Sequence, residues 1–359
     1  MNLKSLLLSS DEKTIRILRR VLGDLEIEVD HCAQSETAIR KITRERFEAV
    51  IIDCADLQEA GQVLQGVKAS PVNKRALSVV LVEAPVGLRG GFEMGAHFVL
   101  HKPISGERSK ASFRAVRALM KQERRGQLRV TVQVPVMCIG SHTYHGKTLD
   151  LCEGGMAVQF KDRVAHEGSL VFLLELPGEK HRLEIQGQLA WEGSSRQAGV
   201  RFQNPSLQQR AILRKWLNSQ LPEPEQDDPP VECQLSELSP GGCYLRTVSP
   251  FPRGTRVVLT ATEPDVDFQT KGIVRVTHPE YGMGVEFVQT EGTPSDQVGR
   301  LIQTLRSKEK KLPKFQVEPE GLETAPATLR PETDDSLVTL FRSESTAPVE
   351  AFVQQMQQR

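Results

Sequence analysis

The chain has 359 residues, a length typical of two or three domains, and its 46 lysines and arginines balance 46 aspartates and glutamates. This balance excludes bulk attraction to nucleic acid or a membrane surface, and no apolar run approaches the ~20 residues that cross a bilayer, so we expect a cytoplasmic protein without membrane insertion. Its six cysteines form no Cys-x-x-Cys pair, which indicates reduced thiols rather than a zinc site or a disulfide framework.

Residues 1–122 alternate short apolar segments with amphipathic ones, which is the pattern of a repeating βα unit. Because the apolar segments are suited to burial on both faces, they predict a parallel sheet with helices on either side. The functional edge of such a sheet lies at the carboxyl ends of its strands, where the sequence places Asp11, Asp53 and Lys102. The predicted strands are residues 4–9, 26–32, 49–53, 77–83 and 96–101.

These three positions resemble the receiver domain of two-component response regulators, which has a flavodoxin-like fold. The resemblance implies that Asp53 is a phosphoacceptor served by a histidine kinase, that Asp11 and Asp53 hold Mg²⁺, and that Lys102 contacts the phosphoryl group. Acyl-phosphate chemistry is consistent with this set, because it needs a carboxylate nucleophile, an oxygen-ligated cation and a positive charge.

The receiver pattern is incomplete at three positions. Ser10 stands at an acidic position, Glu83 at a hydroxyl position and Val99 at an aromatic position. The first change weakens magnesium binding, the second puts a negative charge beside an incoming phosphoryl group, and the third removes the side chain that reports the switch. A receiver kept for structure or for homodimerisation is therefore an alternative interpretation.

An amphipathic helix is predicted from Gly106 to Arg124 and runs directly into an arginine-rich segment. Guanidinium groups pair bidentately with phosphate oxygens and with the O6/N7 edge of guanine. About twenty residues later, Asp150 offers an acceptor for the N1 and N2 donors of guanine, and two glycines let the backbone approach a flat ligand. The candidate ligand-binding residues are Arg124, Arg125, Arg129, Asp150, Cys152, Gly154 and Gly155.

These residues resemble the PilZ family of cyclic di-GMP receptors, whose signature is Arg-x3-Arg followed by Asp/Asn-x-Ser-x-x-Gly. Arg125 and Arg129 match the first element, and Asp150 and Gly155 match the second. Cys152 replaces the serine, and a thiol is a weaker hydrogen-bond partner than a hydroxyl. The resemblance implies a small β-barrel that binds cyclic di-GMP, with a trailing helix.

The segment 123–221 fits that expectation, because several short strands with glycine turns precede a helix at residues 205–221. An acidic, proline-rich linker is predicted at 222–230, since this composition does not pack. Residues 231–311 then repeat the texture of the first barrel, including a closing helix from Pro294 to Lys310, and predict a second PilZ-like domain.

The second copy differs from the first at the positions equivalent to the candidate ligand-binding residues. It regains the serine as Ser239, carries Glu237 in place of Asp150, and lacks the arginine pair, although Arg253 and Arg256 are an alternative source of positive charge. Residues 312–359 are rich in Glu, Pro and Thr and predict a disordered tail. Within this tail, the apolar patch at 337–341 either docks on something or has no role.

Three functions stay open at this stage. The first is a bacterial signalling receptor that binds cyclic di-GMP and relays it to an unidentified protein target. The second is a scaffold of degenerate domains that binds no ligand. The third, a DNA-binding response regulator, is disfavoured because no helix-turn-helix follows the basic stretch. We expect no enzyme, because the sequence shows no synthase, phosphodiesterase, hydrolase or phosphate-loop motif.

Overall fold

The computed structural model describes residues 3–358 except for 54–55, 84–86, 128, 165–167, 180, 194, 204, 222–227, 263–267, 289–297, 304–312, 324–335 and 344–348. The chain divides into two compact units, of which one comprises residues 1–123 and 228–359 and the other residues 124–227. The second unit therefore interrupts the first in sequence. Within the described ranges, no helix is long and apolar enough to cross a lipid bilayer.

A parallel five-stranded sheet, ordered β2-β1-β3-β4-β5, begins the first unit. Helices cover both of its faces, so that α1 and α5 contribute to one apolar core while α2 and α3 contribute to the other. The predicted parallel α/β fold is confirmed. Its elements are β1 (Leu3–Leu8), α1 (Glu12–Asp24), β2 (Ile27–Cys32), α2 (Ser35–Arg44), β3 (Ala49–Ile52), α3 (Leu57–Ala69), β4 (Leu77–Glu83), α4 (Gly87–Glu93), β5 (Phe98–Lys102) and α5 (Gly106–Gln127).

The second unit is a closed six-stranded barrel with strand order β10-β11-β8-β7-β6-β9. The helix α6 packs its apolar face on the barrel core through Leu213, Trp216 and Leu217, and the Trp216 Nε1 atom donates a hydrogen bond to the Pro177 carbonyl at 2.9 Å. The predicted barrel with a trailing helix is confirmed. Its elements are β6 (Pro135–Ile139), β7 (Thr143–Cys152), β8 (Gly155–Phe160), β9 (Ser169–Leu174), β10 (Leu183–Glu192), β11 (Gln197–Phe202) and α6 (Leu207–Ser219).

The first unit ends in a second closed six-stranded barrel, ordered β12-β13-β16-β15-β14-β17. The order and pairing repeat those of the first barrel, which confirms the predicted tandem. Residues 298–303 are helical and add Val298 and Leu301 to the core, while the rest of the helix predicted from Pro294 to Lys310 lies outside the described residues. The strands are β12 (Val231–Leu238), β13 (Gly242–Arg246), β14 (Thr255–Ala261), β15 (Gln269–His278), β16 (Gly282–Phe287) and β17 (Lys314–Leu322).

Strand β17 corrects the boundary predicted for this barrel. It pairs with β12 and β14 and so closes the barrel, although it falls within the segment predicted to be a disordered tail from residue 312. Phe315 and Val317 alternate with polar residues and are fully buried in the core. The polar composition around this short strand concealed its alternation.

The described C-terminal residues correct the same prediction a second time. Two helices, Ser336–Ser343 and Val349–Gln357, form what we call the C-terminal helix pair. Its Leu340, Phe341 and Phe352 are buried together with Tyr244 and Val276 of the second barrel in a separate apolar cluster. The apolar patch at 337–341 therefore docks on the barrel, because only packing removes its large side chains from water.

Helix α5 of the parallel sheet contacts the second barrel within the first unit. The Ser249 hydroxyl donates to the Ala111 carbonyl at 2.7 Å, and the Leu322 amide donates to the Glu123 carboxylate at 2.7 Å. Burial raises the pKa of this Glu123 carboxyl. Asp228, from the segment predicted to be a free linker, is paired with Arg117 and Lys121 of α5. The sheet and the second barrel are thus joined by polar contacts as well as by a continuous apolar core.

Candidate functional site

A single antiparallel bridge brings the two predicted ligand-binding elements together on the first barrel. The amides and carbonyls of Val130 and Leu151 exchange two hydrogen bonds of 2.9 Å. This register sets Arg129 beside Asp150, and the guanidinium of Arg129 donates to the Asp150 carboxylate at 2.5 Å. The side chains are 46% and 28% exposed respectively, so a ligand can reach both partners.

The preceding arginines lie on the last turn of α5. Arg124 and Arg125 are both half-buried, and the chain then turns toward the loop between β7 and β8. A methyl group placed on Gly154 of that loop would lie 3.7 Å from the Gly126 carbonyl oxygen. The structure therefore brings the arginine element and the aspartate loop into contact, as the sequence predicted.

Cys152 is placed differently from the sequence interpretation. It is 4% exposed, and its backbone pairs with that of Gly155 across the turn between β7 and β8. Burial raises the pKa of this thiol, which keeps it neutral at ordinary pH. In the second barrel Ser239 bonds the Gly242 amide at 3.1 Å in the equivalent turn. The cysteine thus reproduces the turn that a serine makes, and the loop keeps its shape.

Gly155 is required by the barrel itself rather than by space for a ligand. A methyl group there would overlap the Val200 carbonyl of strand β11. In the second barrel, a methyl group on Gly242 would lie 2.5 Å from the Val285 carbonyl oxygen in the same way. Strands β8 and β11, and their counterparts, can approach only because this position has no side chain.

The strand register identifies an aromatic residue that the sequence analysis missed. Asp150 pairs with Ala157, Ala157 with Gly199, and Gly199 with Trp191, so these four residues form one row across four strands. Cross-strand partners point to the same face of a sheet. The indole of Trp191 lies directly over Gly199 and is 47% exposed. The place of Trp191 in this row could be found only from the strand register, because β10 contains a bulge between Leu189 and Trp191.

The side chains of this row have the chemistry to hold a planar base, because they include a carboxylate acceptor and an exposed aromatic ring. The small residues Ala157 and Gly199, both buried, lie between the Asp150 carboxylate and the Trp191 strand, and the Trp191 ring covers Gly199. A second row adds a further cation, because the exposed Arg201 pairs with Gly155. We call this surface, formed by β7, β8, β10 and β11 around the row, the first-barrel face. It combines an acceptor, apolar contact area and positive charge.

The Glu153 side chain in the same loop is held away from this surface. Its carboxylate lies 3.3 Å from the Arg214 guanidinium of helix α6, and the two side chains are 12% and 26% exposed. The Phe202 amide also donates to the Gly154 carbonyl at 3.0 Å. The loop is thus fixed from two sides, which preorganises the Asp150 carboxylate before a ligand arrives.

The strand ends of the parallel sheet bring Asp53 and Lys102 together, as predicted. The Lys102 ammonium pairs with one Asp53 carboxylate oxygen, and the Ser9 hydroxyl donates to the other at 2.6 Å. Asp53 is 8% exposed. Both oxygens of this carboxylate are therefore occupied by groups of the protein.

Asp11 does not join this pair. It is the N-cap of α1, where it accepts from the Thr14 hydroxyl at 2.6 Å and from the Lys13 amide at 3.1 Å, and these bonds lower its pKa. A neighbouring cavity of about 450 Å³ is lined by Asp11, Lys13, Thr14, Ile17, Glu83, Lys102, Pro103 and Ile104.

A magnesium ion, which prefers oxygen ligands in octahedral geometry, would have to compete with protein groups for the Asp11 and Asp53 carboxylates here. The Asp11 oxygens bond α1, those of Asp53 bond Ser9 and Lys102, and Ser10 offers a hydroxyl where a second carboxylate would be needed. Within the described residues, no cluster of three or more metal-ligating side chains is found.

The fold combines a receiver-like parallel sheet with tandem six-stranded barrels. The family model of the PilZ domain matches this chain twice, over residues 120–219 and 221–304, which together exceed half of its length. The chain belongs to the PilZ domain family. This family binds cyclic di-GMP in general, and PilZ and receiver domains both serve signal transduction.

Solved structures similar to parts of the chain are of both kinds. The PilZ domain of CeSA from a cellulose-synthesising bacterium is 22% identical, with a TM-score of 0.23, over 26% of this chain and 99% of that domain. The receiver domain of a Pseudomonas aeruginosa sensor histidine kinase, which holds magnesium in its active-site cleft, is 19% identical, with a TM-score of 0.29, over 34% of this chain and 99% of that one. A chemotaxis response regulator of Vibrio cholerae is 21% identical, with a TM-score of 0.28, over 30% of this chain and 92% of that protein. None of the curated proteins matches this chain.

Proposed function

We propose that this protein is a cyclic di-GMP receptor that binds its ligand on the first-barrel face and relays the signal to a protein partner. The observation that carries the proposal is the solvent-accessible pair of Arg129 and Asp150, fixed by the bridge between Val130 and Leu151. A permanent cation and a carboxylate side by side match the two hydrogen-bonding edges of guanine.

Each group on the face has a defined role in this proposal. Asp150 accepts from the N1 and N2 donors of one guanine, and Arg129 exchanges its bond to Asp150 for the O6/N7 edge or for a phosphate oxygen. Arg125 and the exposed Arg201 supply further charge for the phosphates. The base lies between Asp150 and the exposed Trp191 ring, which adds apolar contact and stacking.

A scaffold that binds no ligand is the second candidate, and Cys152 was the residue that favoured it. The pairing of Cys152 with Gly155 argues against a lost site, because the loop retains the turn that Ser239 and Gly242 make in the second barrel. Arg129 and Trp191 are exposed and Asp150 is partly exposed, so these side chains lack the burial expected of purely structural residues.

Calorimetric titration of the full chain with cyclic di-GMP tests the proposal. We expect micromolar or tighter binding at one site per chain, occupied by a monomer or an intercalated dimer of the ligand. Titration with cyclic di-AMP serves as the matched control, since adenine lacks the O6 acceptor and the N1 and N2 donors that Arg129 and Asp150 would recognise. Absence of heat with both nucleotides would leave the scaffold as the better description.

For the receiver-like sheet, we propose a structural role in which Asp53 holds Lys102 and Ser9 rather than accepting a phosphoryl group from a kinase. Incubation with acetyl phosphate and Mg²⁺ is expected to leave the mass of the chain unchanged. Asp53→Asn is expected to lower the free energy of unfolding by about 1–3 kcal/mol, because hydrogen bonds to a charged group are lost. Glu83→Gln, at an exposed strand end, is the matched control and should leave stability unchanged. A phosphoryl adduct that disappears in Asp53→Asn would contradict this role.

A further inference from the structure

The second barrel repeats the geometry of the first-barrel face with different residues. Glu237 pairs with Tyr244, Tyr244 with Gly284, and Gly284 with Val276. This row corresponds position by position to the row of Asp150, Ala157, Gly199 and Trp191. Register shifts precede the first and last members of both rows, between Leu235 and Glu237 and between Val274 and Val276 in the second barrel. The equivalence therefore rests on the pairing pattern as well as on the sequence repeat.

The C-terminal helix pair covers this second face. A methyl group on Gly284 would lie 2.7 Å from the Phe341 ring, and one on Gly242 would lie 3.4 Å from the same ring. In the first barrel the indole of Trp191 covers the equivalent glycine, Gly199. In the second barrel Val276 replaces that tryptophan, and an aromatic ring from outside the barrel fills the space.

The contact is apolar and aromatic rather than ionic. The ring centroid of Tyr244 lies 5.5 Å from that of Phe352 and 6.5 Å from that of Phe341, distances at which aromatic pairs attract. The Tyr244 hydroxyl is hydrogen-bonded to His278 Nδ1 at 2.8 Å. Tyr244 and Val276 point outward from the barrel, yet both are completely buried. They belong to a cluster separate from the barrel interior.

We propose that this face of the second barrel is a docking site for the apolar side of an amphipathic helix. The C-terminal helix pair occupies this site, which is equivalent to the surface on which the first barrel would receive a nucleotide base. Tyr244 places a large aromatic side chain where the first barrel has the small Ala157, and the helix pair packs on it, so a flat base has no space. The face recognises uncharged side chains of the Leu340, Phe341 and Phe352 type. A peptide with the sequence of residues 336–357 therefore has the chemistry to bind it in trans.

An experiment in which a free peptide competes with the chain's own C-terminal helix pair tests this site. A fluorescent peptide of residues 336–357 is titrated, by anisotropy, with wild-type protein, with Phe341→Ala/Phe352→Ala, and with Gln354→Ala. Gln354 is exposed on the same helix pair, so its variant is the matched control. We expect the double variant to bind the peptide at least tenfold more tightly than the wild type and the control do, because its own helices no longer hold the face. Failure of a folded double variant to bind would overturn the proposal.

Hydroxyl-radical labelling of the wild-type chain tests the same site without any substitution. Tyr244, Phe341 and Phe352 are expected to be protected relative to the partly exposed Tyr144 and Tyr281, and equal labelling would refute docking. A second cyclic di-GMP site in the double variant would show that the face takes nucleotides rather than helices. The peptide measurement does not depend on nucleotide binding by the first barrel, so failure of either proposal can be told from failure of the other.

Discussion

Arg129→Ala is expected to weaken cyclic di-GMP binding by about 10- to 100-fold or more, since hydrogen bonds to charged groups contribute about 1.5–3 kcal/mol each and 1.4 kcal/mol corresponds to a factor of ten. The substitution also leaves Asp150 without the guanidinium that now neutralises it. An isolated carboxylate would then repel the phosphates of the ligand. Calorimetry on the purified variant measures the change directly.

Two further variants separate recognition from general charge. Arg129→Lys keeps the positive charge but loses the planar fork of donors, so we expect most of the affinity to be lost. Arg182→Ala removes an arginine of the same barrel that is 53% exposed and paired with Glu175, and it should bind like the wild type. If Arg182→Ala weakens binding as much as Arg129→Ala does, the ligand is held by diffuse charge and the assigned site is wrong.

Gly155→Ala is expected to destabilise the first barrel by about 3 kcal/mol or more, at the upper end of the range for overpacked interiors. The added methyl group would meet the backbone carbonyl of Val200, and a backbone atom cannot rotate away as a side chain can. For a domain of this size, such a change lowers Tm by about 10 °C or more. Thermal unfolding followed by the fluorescence of Trp191 and Trp216, both in this barrel, reports the transition.

The neighbouring glycine provides the control for that substitution. A methyl group on Gly154 would lie 3.7 Å from its nearest neighbour, which is ordinary van der Waals contact, so Gly154→Ala should change the free energy of unfolding by no more than ~0.5 kcal/mol. The two variants differ by one position in the same loop. Equal destabilisation by both would show that loop flexibility, rather than the approach of β8 to β11, makes glycine necessary.

The sequence predicted the parallel sheet and both barrels because their strands carry local signals. Buried strands such as β3 are continuous apolar runs, and the turns between barrel strands are marked by glycine. It also predicted that Arg129 and Asp150 would be close, because the paired motif suggested one ligand. The predictions that were wrong concern segments whose structure depends on tertiary packing more than on their local sequence pattern. Strand β17 and the C-terminal helix pair lie in polar surroundings, and only burial against the second barrel orders their few apolar residues.

The roles of Trp191 and Cys152 could not be obtained from spacing alone. Trp191 joins the row of Asp150 through two intervening strands, and that alignment depends on a bulge that the sequence does not mark. Cys152 departs from the serine pattern in type, yet it is buried and pairs with Gly155 across the same turn. Asp11 shows the converse, because its position matched a metal ligand while its carboxylate caps a helix.

The contact between α5 and the second barrel has a consequence for synthesis on the ribosome. The barrel cannot close until β17 has emerged, roughly 200 residues after α5, which takes ~10–40 s at 5–20 residues per second. During that interval the surface of α5 that will face the barrel is exposed to solvent, while the first barrel, encoded between the two, belongs to a compact unit of its own. The nascent chain therefore passes through a stage at which a chaperone has an apolar helix surface to bind.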